Sequence, residues 1–198
     1  MHILEHIAQT SEELYWSVIE IFEAFLREPR PVSSTATERF PPDLEAALRA
    51  LGRRSDGKGQ DRFVIDLRGA WLSGASFVAP TSEGAFVPNF NGASFANAGL
   101  TNADFSRTNL QQVDFRYAKL ARADFTYCDL RGSDLREADL TGANLTGAVM
   151  AAVDSATKVR SMEAKLDGAN LTDANISQAI FLSRDQLRLA HVSDRGPA

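Results

Sequence analysis

From residue 90 to residue 150 every fifth position is Leu or Phe until the last, which is Met: Phe90, Phe95, Leu100, Phe105, Leu110, Phe115, Leu120, Phe125, Leu130, Leu135, Leu140, Leu145 and Met150. Two places before each sits a smaller residue: Pro88, Ala93, Ala98, Ala103, Thr108, Val113, Ala118, Ala123, Cys128, Ser133, Ala138, Ala143 and Ala148. Between the two, Asp or Asn is commonest, as at Asp104, Asn109, Asp114, Asp124, Asp129, Asp134, Asp139 and Asn144. A period of five held over thirteen units matches neither the helical 3.6 nor the strand 2.0, so it points to stacked internal repeats.

A five-residue unit is too short to bury anything alone and gains stability only by stacking on copies of itself. Alternation along extended backbone turns the small and the large residue to one side and Asp or Asn to the other. The next two residues must turn a corner, and Ser, Thr, Arg, Gly and Asn fill them. Asp and Asn suit such corners because their side chains accept from nearby backbone N–H groups.

The unit A-(D/N)-(L/F)-x-x resembles the motif of the pentapeptide-repeat family. The resemblance implies a mostly β chain: a right-handed quadrilateral β-helix, a pentapeptide-repeat solenoid with four units per coil. Residues twenty apart would then stack at roughly the 4.8 Å spacing of adjacent strands.

The same phase starts earlier, at Leu67, Leu72 and Phe77, and slips by three before Phe90. Residues 78–89 therefore hold an insertion, with Phe86 at its tip or folded back as a lid. After Met150 the phase weakens, and it resumes one residue out of step at Leu166, Leu171, Ile176 and Phe181, so 151–165 is irregular. These twenty units predict about five coils over 64–182, with all twenty large residues in the core. Over 183–198, Ser183 and Gln186 have capping-box spacing for a short terminal helix that would cover the last coil's open edge.

Residues 1–60 read as a helical N-terminal segment with a linker. A short His2–Ala8 stretch precedes Thr10 and Glu13, which have capping-box spacing. A helix from about Ser11 to Arg27 carries Leu14, Val18, Ile21, Phe22 and Phe25 on one stripe. Pro29 and Pro31 end it. A second helix starts with Asp43 as N-cap, carries Leu44, Ala47, Leu48 and Leu51, and stops at Gly52. This segment resembles the helical stretch that precedes the repeats in many bacterial pentapeptide-repeat proteins. It is expected to pack on the first coil, with a docking face or a homodimer seam through the terminal helices as the alternative.

No catalytic constellation emerges. The histidines are His2, His6 and His191, and no Cys/His cluster exists, so no metal site and no cofactor are expected. The aspartates recur at the repeat's own period, which reads as turn chemistry and not as paired acid and base. The single cysteine, Cys128, occupies a small inward position. One cysteine cannot form a disulfide within the chain, and no apolar run reaches membrane-span length, so the expectation is a cytoplasmic protein without a membrane span. The net charge of −5 argues against direct nucleic-acid binding.

What remains is surface. Arg116 and Arg136 should share one column with Tyr117 beside them, and Arg107 and Tyr127 another, with Arg122 and Arg131 at nearby corners. This Arg/Tyr band, with Phe86, is the candidate interaction surface, since Arg and Tyr are enriched in interface hot spots. The bland alternative is a solvated surface interspersed with aspartate. The expected function is a non-enzymatic protein–protein interaction scaffold of unknown target. The alternative comes from the resemblance: a DNA-mimic binder of a type II topoisomerase (gyrase) of the quinolone-resistance kind. Residues 64–182 hold 13 Asp/Glu against 10 Lys/Arg, a weak acidity for such a mimic.

Overall fold

The computed structural model describes residues 12–28, 40–53, 64–78, 86–153 and 160–192. The readings on His2, His6, His2–Ala8 and Thr10 lie outside these residues.

The repeats wind into a solenoid with four sides. Parallel bridges connect Asp66, Ser94, Asp114, Asp134 and Lys165 on the first side. Trp71, Gly99, Lys119, Asp139 and Asn170 form the second, and His191 adds a sixth rung there. The third side carries Ser76, Asp104, Asp124, Asn144 and Asn175, and the fourth Asn89, Asn109, Asp129, Val149 and Ile180. The usual step between rungs is twenty residues. It lengthens to 28 between Asp66 and Ser94 and to 31 between Asp134 and Lys165. The first excursion leaves after the third side of the first coil. The second contains a small antiparallel pair, β1 (Ala152–Val153) and β2 (Arg160–Ser161).

Each unit between the end coils exchanges backbone hydrogen bonds with both neighbouring coils. Phe95 N–H donates to the Asp114 carbonyl at 2.8 Å, and Asp114 N–H donates back to the Ala93 carbonyl at 2.9 Å. Each corner closes with a bond such as Ala98 N–H to the Phe95 carbonyl, 3.0 Å. The third residue of that turn has positive φ, as in a type II turn. Asn97, Asn102, Arg107, Gln112, Tyr117, Arg122, Tyr127 and Glu137 all occupy this left-handed region, which non-glycine residues seldom adopt. The ladder on either side holds them there.

Inside, the large residues stack in columns. Phe77, Phe105 and Phe125 lie nearly parallel on the third side, with centroids 4.2 and 5.2 Å apart. Phe95 and Phe115 stack on the first side at 5.3 Å. Contacts between the two stacks are edge-to-face, the arrangement that ring quadrupoles favour. The second and fourth sides supply mostly Leu, so large rings and smaller chains share the cross-section. Cys128 is buried among them, and burial pushes its thiol well up.

Two core expectations are corrected. Phe181 is 42% exposed and has φ of +63°. It closes the last coil, where the chain turns out towards the terminal helix. Ile176, in the same coil, is only partly buried. A side chain in the terminal coil has a neighbour on one side only.

Helices close both ends. α1 (Glu12–Arg27) buries Ile19, Phe22 and Leu26, while Ile21, expected on its apolar stripe, is exposed. α2 (Pro42–Gly52) buries Leu44, Ala47, Leu48 and Leu51. Its N-cap is Pro41, with no side-chain cap bond, and not Asp43 as expected. Proline suits the first turn because the N–H it lacks would be unpaired there. The Gly52 carbonyl accepts from Asn89 N–H at 2.7 Å, which joins α2 to the first coil. α3 (Arg184–Arg188) opens with the Ser183/Gln186 capping box. The buried Gln186 amide also donates to the Ala164 carbonyl at 2.7 Å. The chain then adds the His191 rung.

Candidate functional site

Candidate surface residues sit at corners, so the corner is the unit to build from. In most repeats the Asp, Asn or Ser at the bridge position accepts from the backbone N–H two residues on; Ser94, whose buried hydroxyl has no partner among the described residues, does not. Thirteen corners do this, from Arg68 N–H on Asp66 to Ser177 N–H on Asn175. A carboxylate there spends one oxygen on the turn.

Where the residue two places on is Arg, the guanidinium folds back onto the same carboxylate. Arg68 grips Asp66, Arg116 grips Asp114, Arg131 grips Asp129 and Arg136 grips Asp134, each through Nε and one Nη. Such forked pairs fix geometry as well as charge. On the first side the Arg partners hold the Asp66, Asp114 and Asp134 carboxyls below their ordinary range. Lys165 lies 3.9 Å from Asp134, and Arg27 of α1 is 3.1 Å from Asp66. This side is a ladder of compensated charge.

Where the residue is Thr, a different network forms, and sequence reasoning missed it. The Thr126 hydroxyl donates to Asp124 and accepts from the Asn144 amide at 2.8 Å. The Thr146 hydroxyl donates to Asn144 at 2.6 Å and accepts from Asn175 at 2.9 Å. On the second side Thr141 donates to Asp139 at 2.6 Å and accepts from Asn170 at 2.9 Å. These zippers tie successive coils through their side chains. The readable signal is Thr two places after Asp or Asn, with Asn at the next rung.

The candidate residues are spread over all four corners. Arg116, Tyr117 and Arg136 project from the corner after the first side, and Arg122 from the next. Arg107 and Tyr127 occupy the third, and Arg131 the fourth. They form a ring round the middle coils and not one face. Stacking by twenty places residues within a column correctly, but says nothing about which columns share a face.

Within the ring the residues differ in freedom. Arg116, Arg131 and Arg136 are engaged by their own aspartates. Arg122 donates to Asn102 at 2.9 Å. Arg107 lies over the Tyr127 ring, 5.6 Å from its centroid. Tyr127 in turn covers Gly147, where an added Cβ would overlap the ring. Tyr117 and Tyr127 are both more than half exposed. Phe86 is half-buried, with the Arg53 guanidinium 5.4 Å from its ring centroid. Trp71 is a second residue missed by sequence reasoning: it stands exposed at a bridge position where Asp or Asn is usual.

Among the described residues, no group of three or more His, Cys, Asp or Glu side chains is placed to hold a metal ion. No helix among them is long and apolar enough to cross a membrane.

Comparison with known proteins gives the following. A family model of pentapeptide repeats, in eight copies, matches residues 89–126 and 118–153. No curated protein matches. Among solved structures, the chain is similar to the pentapeptide repeat protein Rfr23 from the cyanobacterium Cyanothece 51142. Identity is 20%, over 69% of this chain and 67% of that one, with a TM-score of 0.37. It is also similar to the pentapeptide repeat protein alr5209 from Nostoc Pcc 7120, with 25% identity over 66% and 86% and a TM-score of 0.39. A third is trypsin-treated QnrB1, a plasmid-mediated fluoroquinolone resistance protein: 18% identity over 67% and 78%, TM-score 0.24.

Proposed function

The chain belongs to the pentapeptide-repeat family, and from that premise we propose that it is a non-enzymatic, cytoplasmic interaction scaffold that binds another protein. One observation carries the reading. Most polar side chains on the sides are spent on the solenoid's own corners and zippers, and what projects from the stiff core is the ring of Arg and Tyr. Binding function concentrates on such irregular features of a rigid frame. Within the ring, Tyr117, Arg122 and the Arg107–Tyr127 pair are the residues not engaged by a carboxylate, and they are the contact points we assign. The cytoplasmic setting rests on the single buried cysteine.

The alternative, a DNA mimic that binds a type II topoisomerase, needs an uncompensated acidic face. The first side lacks one, because its Asp66, Asp114 and Asp134 carboxylates are held by arginines. The test is affinity capture from a bacterial lysate with the full chain, beside a variant carrying Arg107→Glu, Tyr117→Ser, Arg122→Glu and Tyr127→Ser. The scaffold reading predicts a partner that is lost with the variant while the circular dichroism melt stays cooperative. Capture of a topoisomerase subunit that survives the four substitutions would put the DNA-mimic reading first.

A further inference from the structure

The contact between α1 and the first coil contains a carboxylate in an unusual position. Glu23 is only 7% exposed. Its Oε1 accepts from Asp66 N–H at 2.9 Å. That N–H belongs to the first coil, which has no preceding coil to pair with it. A helix side chain thus completes the edge of the β-ladder, which would otherwise stay unpaired.

The charge on Glu23 is compensated only in part. Arg27, one turn on, bonds Asp66, and its charge also favours the ionised form of Glu23. Arg68 is also committed to Asp66. Asp66 and Glu20 are like charges beside Glu23. The charged residues of α2 are Asp43, Glu45 and Arg49, the last two facing each other at 3.8 Å. Burial disfavours the charged form of this carboxylate and outweighs the backbone donor and Arg27, with Asp66 and Glu20 adding to it. A neutral carboxyl keeps a carbonyl oxygen for the Asp66 N–H, so the hydrogen bond survives protonation.

We infer that Glu23 makes the helical cap a pH-dependent clamp, holding the first coil tightly when its carboxyl is neutral and loosely when it is ionised. Burial, the largest influence, raises the Glu23 carboxyl above its ordinary value of 4.5. A raised group stabilises the docked state fully below that ordinary value, and the contribution is lost as pH rises through the raised one. Asp66 moves the other way, held down first by Arg68, so it stays ionised while Glu23 titrates. Loosening frees the Asp66 N–H at the first-coil edge, while the Arg27–Asp66 pair and the bond that Asn89 N–H donates to the Gly52 carbonyl remain.

The test uses the full chain. Amide hydrogen exchange is read at Asp66 and across α1 from pH 4 to 7, relative to the core amide of Leu120. The Glu23 carboxyl is titrated by its carbon chemical shift in the same samples. We expect relative protection at Asp66 to fall as pH rises, and the titration midpoint to lie above 4.5. Glu23→Gln, which keeps the acceptor and removes the charge, should hold that protection high at every pH. A midpoint at or below 4.5 overturns the inference even if the variant fails to fold, and so does an unchanged pH dependence in Glu23→Gln. Neither readout involves a partner, so failure here leaves the scaffold reading standing.

Discussion

Gly147 shows how closely a corner is fitted. Its φ is +67°, in the region that costs an L-residue roughly 1–2 kcal/mol. Its face is also covered by the Tyr127 ring. Most left-handed corners here are occupied by side-chain residues, so conformation alone does not demand glycine. The overlying ring is the added constraint. Gly147→Ala should therefore lower stability to urea by about 2 kcal/mol, the backbone strain plus the displacement of the ring. In a Tyr127→Ala background the same change should cost measurably less. Equal costs in the two backgrounds would mean that only the backbone matters. Nothing in the sequence pairs these residues except their separation of twenty, and that spacing gives proximity without giving the direction in which the tyrosine leans.

At the scale of the element, the corner chemistry was legible and its consequences were only partly so. The recurrence of Asp and Asn before each large residue predicts the bonds to backbone N–H groups, and the corners make them. The same spacing holds a second relation, Arg two places after Asp, which locks Arg116, Arg131 and Arg136 onto their own carboxylates. Read one column at a time, those arginines look free to meet a partner. Pairing within a corner is a local conformational choice that the period does not encode. It has a pH consequence. Asp114 and Asp134 are held below the ordinary carboxylate value of 3.8, chiefly by their arginines. A depressed group contributes stability that is present above its unfolded value and is lost as pH falls through the folded one. The melting temperature should therefore drop as pH falls below about 4, and Asp134→Asn should flatten that acid limb while lowering the plateau at pH 7. An unchanged acid limb in the variant would show that the pair contributes nothing to it. Glu23 works in the opposite sense, so acid should tighten the helical cap before it loosens the corners.

The whole molecule was the most legible level, because a period of five admits few architectures. Columns, interior and the two interruptions follow from phase alone. The ends do not, since stacking rules apply only where there is a next coil. Phe181 has the right spacing for the core yet lies exposed at the turn into the terminal helix, and Pro41 caps a helix that a preference for acidic caps assigned to Asp43. The ring of candidate surface residues fails as a single face for a related reason: a period orders residues along columns and leaves the angle between columns to the closed cross-section.

The central claim is that one four-sided ladder continues through both interruptions, so that after Met150 the step is 31 residues and not twenty. Disulfide trapping tests it directly. In a Cys128→Ala background, cysteines replace Asn144 and Asn175, which bridge in parallel on the third side. Neighbouring strands hold such Cα atoms within disulfide range. A second variant places cysteines at Asn144 and Ala164, the strict twenty-residue spacing. The account predicts rapid oxidation of the first pair with retained folding, and none of the second, because Ala164 points into the core at the start of the first side. Oxidation of the 144–164 pair without the 144–175 pair would contradict it.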